Sequence, residues 1–360
     1  MAGTEVSGGG PATADPSRKP PALGAAGYPQ LSIAISVCSR KDIDVWRVAS
    51  RSVLKYIDSK SYVVIVPDAD VDIFVAGTPP RFNVVGESKY SGGLGEALKK
   101  HLPAGQQGRF GWYLQQFIKL AALKNTADSD FALIWDADTV PLRCLRFDDP
   151  KTAKVRYYKG RESHDPYFDL IYRLLGMRKA VAYSFVAQCF PIKGIWAREF
   201  FELVERRHGK NWADAIVGLI NFNEPSGFSE YETLGAFVSN VHREEIVATR
   251  RLWLRAGNGT IGTVDNVGRF PYSLLLKPFD FASFETWDAP YGTYRRIPRI
   301  LGRPLRRLSL MLTGQQESSA PPHFRYNYLQ LGGETKVIKI GANDGIQGDP
   351  LVVEGDTERR

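Results

Sequence analysis

FALIWDADTVPL, residues 131–142, is the stretch on which the fold turns. Phe131 to Trp135 is apolar at every position and stops abruptly at Asp136. A strand apolar on both faces belongs inside a sheet that is covered on both sides, the usual state of parallel strands. Working outward, LSIAISVCS (31–39) is a second such run, ended by the polar cluster Ser39, Arg40, Lys41, Asp42. Val45, Trp46, Val48, Ala49, Val53, Leu54 and Ile57 then recur at helical spacing, and Tyr62 to Val66 is a third apolar run, ending at Pro67-Asp68-Ala69-Asp70. Strand, helix, strand with apolar strands predicts an α/β fold, a mixed but mostly parallel sheet flanked by helices. Because two strands precede it, 131–135 is expected inside that sheet. Farther on, Tyr183 to Ile192 reads as a strand, and Ile195 to His208 and Tyr231 to Val241 read as helices.

The whole chain bounds what such a fold can be. Its 360 residues are 43% hydrophobic and 24% charged, enough for one large domain with a packed core. Cys38, Cys144 and Cys189 are an odd number without a CxxC pair, which argues against a disulfide framework or a zinc cluster and suits a reducing cytoplasm. Net charge +8 and a pI near 9.2 favour phosphate-bearing partners. No apolar run reaches the about 18 residues of a spanning helix, and the first thirty residues lack signal-peptide order. A cytoplasmic protein, peripheral at most on the inner face of a membrane, is expected. Residues 1–28, rich in Gly, Ala, Pro and Ser, read as a disordered tail.

Asp136-Ala137-Asp138 stands at the carboxyl end of its strand, where α/β folds bind ligands. In an extended segment residues i and i+2 point to one side, so the two carboxylates are expected to converge on a hard-oxygen site for Mg²⁺ or Mn²⁺. The other reading is a pair of solvated loop aspartates. Gly108 to Lys124 has a helical period, with Tyr113, Leu114, Phe117, Ile118, Leu120 and Ala121 apolar and Trp112, Gln115, Gln116 and Lys119 on a polar stripe. Lys119 and Arg109 are candidate cations for a phosphate-bearing ligand, or else surface cations lying along the helix. Ser229 with Glu232 three residues later is a capping box, and Glu230 then takes the first helical position, free to face a cleft. Of five histidines, none has metal-ligand spacing with another.

Two enzyme classes end an apolar strand in this way. Asp136-Ala137-Asp138-Thr139-Val140 matches the DxDx(T/V) of haloacid-dehalogenase-type phosphatases, with Asp136 as nucleophile, but that strand normally opens its domain and here about a hundred ordered residues precede it. GWYLQQFIKL (111–120), LIWDADTVPL (133–142) and FSEYETLG (228–235), in that order, resemble a little-characterised group of bacterial and viral domains placed among GT-A glycosyltransferases. The resemblance covers about residues 31–255. It implies a GT-A-like, Rossmann-related domain over 29–290 and metal-dependent sugar transfer from a nucleotide-sugar donor, a UDP-sugar foremost, to a glycan or lipid-linked acceptor. Asp136 and Asp138 would share Mn²⁺ or Mg²⁺. Asp68 and the Ser39 to Asp42 loop would lie near base and ribose, and Arg109, Gln115, Gln116 and Lys119 would line the donor cleft. Glu230 would be the general base, with Glu232 its competitor, and Tyr167, Tyr183, Gln188 and Trp196 fall where acceptor contacts belong. A non-catalytic module binding sugar or nucleotide is the third reading; nucleic acid is not an expected partner.

Beyond the domain, Tyr294 to Leu312 carries six arginines among Ile, Leu and Met, interrupted by Pro298 and Pro304. It reads as short helices, either packed on the domain by their leucines or lying on an anionic membrane surface. With the polar linker GQQESSAPP it fills residues 291–323. Val337-Ile338-Lys339-Ile340-Gly341-Ala342-Asn343-Asp344-Gly345 resembles the first motif of FkbM-type methyltransferases, over about 324–352 only. Residues 324–360 are therefore expected to be a partial module that performs no methyl transfer.

Overall fold

The computed structural model describes residues 30–288 apart from Pro225, together with the strands Tyr326–Leu331 and Glu334–Lys339. The starting tail, the arginine-rich segment 294–312 and the glycine turn from Gly341 lie outside the described residues. The chain divides between residues 302 and 303 into two units.

In the first unit, β1 (Leu31–Val37) is stopped by the polar cluster, which winds into one 3-10 turn, Arg40–Asp42. α1 (Ile43–Tyr56) buries Trp46, Ala49, Ser50 and Val53, an i, i+3, i+4, i+7 stripe. The Trp46 indole nitrogen donates to Thr78 Oγ1 at 2.9 Å, so this large core residue leaves no polar atom unpaired. β2 (Ser59–Val66), α2 (Val71–Gly77) and β3 (Phe82–Gly86) follow, then α3 (Ser88–Ser91), α4 (Leu94–His101) and α5 (Phe110–Lys124). β4 (Phe131–Trp135) is buried at all five positions. After it come β5 (Thr139–Pro141), β6 (Val155–Tyr157), α6 (Asp165–Leu175), β7 (Cys189–Lys193), α7 (Gly194–His208), α8 (Trp212–Val217) and α9 (Glu230–Val241). β8 (Ile246–Ala248), β9 (Leu252–Leu254), α10 (Gly257–Ile261), α11 (Tyr272–Leu276) and β10 (Phe279–Ser283) complete the unit.

The main sheet has the order β3-β2-β1-β4-β7, with β7 antiparallel to β4 and every other neighbour parallel. This is the expected α/β class, and 131–135 is internal, between β1 and β7. The chain adds β2 and β3 to one side of β1, then crosses to place β4 on the other. The sheet therefore opens a crevice at the carboxyl ends of β1 and β4, the place where such sheets take ligands. A smaller sheet, β5-β10-β9, stands beside it, with β10 antiparallel to β5 and parallel to β9.

Two expectations change. The helix expected from Gly108 starts at Phe110, after a 3-10 segment Ala104–Arg109, and its polar stripe does not face water: Gln116 and Lys119 are buried. The strand expected over Tyr183–Ile192 pairs as a ladder only from Cys189, because β4 ends at Trp135, opposite Cys189, and the chain beyond it turns away after one bond from Asp136 N–H to the Gln188 carbonyl. Gln188 leaves the ladder at φ 63°, and Ser184 exchanges two backbone hydrogen bonds with Gly160 instead. In the second unit, β11 (Tyr326–Leu331) and β12 (Glu334–Lys339) form an antiparallel hairpin with Tyr326 opposite Lys339. Among the described residues no helix is long and apolar enough to cross a membrane.

Candidate functional site

The Asp136–Asp138 segment is a turn and not a continuation of the strand: Thr139 N–H donates to the Asp136 carbonyl at 3.0 Å, and the Trp135 indole donates to the Thr139 carbonyl at 2.9 Å. The relation of the two carboxylates thus comes from the turn, and the strand alternation expected from the sequence does not apply. Asp136 N–H donates to the Gln188 carbonyl at 3.0 Å, which uses the left-handed backbone of Gln188 to fix the start of the turn. At its other end Phe284 N–H donates to the Asp138 carbonyl at 2.8 Å, extending the β5–β10 ladder.

Lys119 lies at the centre. Its side chain is 3% exposed, and Nζ donates to Asp136 Oδ1 at 2.5 Å and to Glu230 Oε1 at 2.8 Å while standing 4.7 Å above the Tyr231 ring. Burial alone would lower this ammonium, but the two carboxylates and their hydrogen bonds reverse that and hold it above its ordinary value. Tyr231 also donates its hydroxyl to Asp136 Oδ1 at 2.5 Å, and burial and then the Asp136 and Glu230 charges push that phenol well up. Lys119 is accordingly a buried pin between α5, the Asp136 turn and α9, not a surface cation.

Glu230 begins α9, and its N–H donates to Gln116 Oε1 at 3.1 Å. Burial raises its carboxyl above the ordinary value, with Lys119 opposing. The predicted capping box is half formed. Ser229 Oγ accepts from Glu232 N at 3.3 Å, but the Glu232 carboxyl turns toward Lys179, 3.8 Å away, with its Oε1 buried and without a hydrogen bond.

Asp138 carries the largest concentration of like charge. Burial raises its carboxyl well above the ordinary value, then the neighbouring Glu285, Asp136 and Asp42 raise it further, with Lys119 opposing. Asp42 accepts from Ser39 Oγ at 3.0 Å and is itself raised by burial. Asp42 and Asp138 both also lie close enough to raise the Cys38 thiol, after burial, so the end of β1 meets the turn after β4. Glu285, just beyond β10, accepts from Gln188 Nε2 at 3.0 Å and from Arg255 Nε at 3.1 Å.

The crevice therefore gathers Ser39, Asp42, Gln116, Lys119, Asp136, Asp138 and Glu230. Tyr231, Glu285 and Arg255 join them without having been singled out in the sequence. Glu285 follows FDFASF (279–284), a buried segment that carries Asp280 and Ser283 and so does not read as an unbroken apolar run. Other contacts hold the remaining candidates. Asp68, at the end of β2, accepts from Ser88 Oγ at 2.6 Å and Ser88 N–H at 3.1 Å. Arg109 precedes α5, ten residues or about 15 Å of helix rise from Lys119, over the Trp112 ring at 4.0 Å and bonded to Ser226 Oγ at 3.0 Å. Gln115 is half-buried next to Gln116. Trp196 is a core residue stacked on His242 at 4.4 Å.

Among the described residues no three His, Cys, Asp or Glu side chains form a metal-coordinating set. The donor chemistry nevertheless suits a hard divalent cation: Asp138 is surrounded by carboxylates and, among the described residues, lacks a bonded cation of its own. Mg²⁺ commonly takes only one or two carboxylates and fills its shell with water and substrate phosphates.

Comparison with solved structures finds mouse xyloside xylosyltransferase 1, with a TM-score of 0.41 and 13% identity over 72% of this chain and 99% of that one. It also finds the galactosyltransferase LgtC in complex with donor and acceptor sugar analogs (TM-score 0.40, 12% identity, 80% and 97% of the two chains). The glycosyltransferase GlyE of Streptococcus pneumoniae TIGR4 gives 0.36 and 10% identity over 81% and 66%. At TM-scores under 0.5 these likenesses carry no functional assignment. No curated protein matches the sequence significantly. A family profile described as a family of unknown function, DUF6492, matches residues 29–247, well over half of the chain, so this protein belongs to the DUF6492 family.

Proposed function

We propose that this protein is a glycosyltransferase that binds a nucleotide-sugar in the crevice between the ends of β1 and β4 and passes the sugar to a glycan or lipid-linked acceptor. The observation that carries the reading is the Asp136–Asp138 turn at the carboxyl ends of β1 and β4, pinned to α5 and α9 by the Lys119–Asp136 and Lys119–Glu230 pairs. The resemblance of the three motifs at 111–120, 133–142 and 228–235 to GT-A glycosyltransferases supports it.

In this reading Asp138 would hold Mg²⁺ or Mn²⁺ with Glu285 in place of the expected Asp136, whose Oδ1 is taken by Lys119 and Tyr231, and the ion would supply the charge that neutralises a leaving diphosphate. Ser39 and Asp42 face the ribose. Asp136, fixed by Lys119 and Tyr231, orients the turn that carries Asp138. Lys119 has two of its three N–H groups committed to carboxylates, so its task is to hold Glu230 in place. With Oε1 bound to Lys119, the second oxygen of Glu230 takes the proton from the acceptor hydroxyl while the hydroxyl oxygen bonds to the anomeric carbon and the bond from that carbon to the diphosphate breaks. Burial raises the Glu230 carboxyl, with Lys119 opposing, which makes its carboxylate a better proton acceptor than an exposed one.

The test is release of nucleoside diphosphate from UDP-, GDP- and CDP-sugars in the presence of Mn²⁺. One donor is expected to be used, and Asp138→Ala to abolish the release. Release of phosphate from a simple phosphate monoester such as p-nitrophenyl phosphate, with no nucleoside diphosphate from any nucleotide-sugar, would instead indicate a phosphatase working through Asp136, and tight sugar binding without turnover a binding module.

A further inference from the structure

Away from the crevice, the amino-terminal end of β10 carries an apolar and basic face that the proposed reaction does not use. Phe270 is 80% exposed, Leu274 59% and Leu252 56%. Single exposed apolar residues are ordinary, but Phe270 and Leu274 share one turn, and Leu252 is on the strand paired with the segment that follows it. Ser273 N–H donates to the Arg269 carbonyl and Leu274 N–H to the Pro271 carbonyl, so residues 269–274 form one compact turn that carries both Phe270 and Leu274. Lys277 N–H donates to the Leu274 carbonyl, and Leu252 lies beside Phe279 in the parallel β9–β10 register. Arg143 donates to the Lys277 carbonyl, tying the same edge to the end of β5.

The charge there has one sign. Residues 249–279 contain Arg250, Arg251, Arg255, Arg269 and Lys277 against a single acid, Asp265. Arg250, Arg251, Arg269 and Lys277 are exposed. Asp280, just beyond this span, is buried and paired with Arg251 and Arg143, and it accepts from the Tyr158 hydroxyl. Protruding Phe and Leu rimmed by cations are complementary to a surface with an apolar interior and an anionic face.

We propose that this face docks on an anionic lipid bilayer, with Phe270 and Leu274 entering the acyl boundary and Arg250, Arg269 and Lys277 meeting headgroup phosphates. The surface is separate from the crevice, so the proposal stands or falls independently of sugar transfer. The test is flotation of the full-length chain with vesicles of phosphatidylcholine alone and of phosphatidylcholine mixed with phosphatidylglycerol. Binding is expected only to the mixed vesicles and to weaken with salt. Phe270→Ser with Leu274→Ser, and separately Arg269→Gln with Lys277→Gln, are each expected to lower the bound fraction about tenfold. All four side chains are exposed, so thermal unfolding and nucleotide binding remain those of the wild type. No binding to mixed vesicles, equal binding to both kinds, or binding unchanged by Phe270→Ser with Leu274→Ser would overturn the proposal. So would a dimer in sedimentation that this double variant dissociates, since the face would then belong to a second copy of the chain.

Discussion

Lys119 ties together residues far apart in sequence: Asp136, 17 positions away, and Glu230, 111 away. Removing one partner from a buried ion pair leaves the other charge uncompensated, at a cost of about 3–5 kcal/mol. Lys119→Met strands two carboxylates, so a loss of stability in that range is expected in urea unfolding. Glu230→Gln keeps the hydrogen bond from Lys119 and removes the base. It should leave nucleotide binding intact and slow transfer by about a hundred- to ten-thousand-fold. Glu232→Gln acts on the pair with Lys179 and leaves the Lys119–Glu230 pair in place, so transfer close to wild type is expected from it; the opposite pattern would exchange the roles of the two residues. Lys119 and Glu230 are both visible in the sequence, one on a polar helical stripe and the other at a helix start. Their pairing is not, because nothing in local periodicity connects position 119 to position 230.

Elements place these residues, and close contacts place the elements. α9 lies so near Phe185 that a Cβ on Gly235 would come within 2.1 Å of the ring. Gly235→Ala must push α9 or the 183–188 segment aside. A loss of about 1–3 kcal/mol is expected in urea unfolding, with weaker transfer because Glu230 rides on the same helix. In the loop between β5 and β6, Asp149 accepts from Arg156 Nη2 at 3.0 Å, and that bond first, then the Lys151 N–H, lowers its carboxyl to about 2. A depressed carboxyl contributes stability above its unfolded value, about 3.9, and loses it as pH falls toward the folded value. Carboxyl carbon shifts should therefore place the Asp149 midpoint near 2 in the folded protein, and Arg156→Gln should return it toward the ordinary carboxylate range. Strands such as 131–135 are legible because burial on both faces leaves an unbroken apolar run. The 183–188 segment reads as strand for the same reason and is not one: it is apolar and largely buried, but its backbone bonds go to Gly160 and to Asp136, partners that no local pattern reveals.

For the molecule as a whole, the class of fold and the interior position of β4 follow from alternating apolar runs and helical periods. The carboxylates at the ends of β1 and β4 follow from where those runs stop. Glu285 does not, because it reaches Asp138 through an antiparallel pairing between segments more than a hundred residues apart. The crevice is expected to take a nucleotide together with a divalent cation. Calorimetric titration of the full-length chain with UDP, GDP and CDP, with and without Mn²⁺, tests this most directly. Saturable binding of one base that requires Mn²⁺ and disappears in Asp138→Ala is the predicted result; binding that ignores base and metal alike, or that persists in Asp138→Ala, would contradict it.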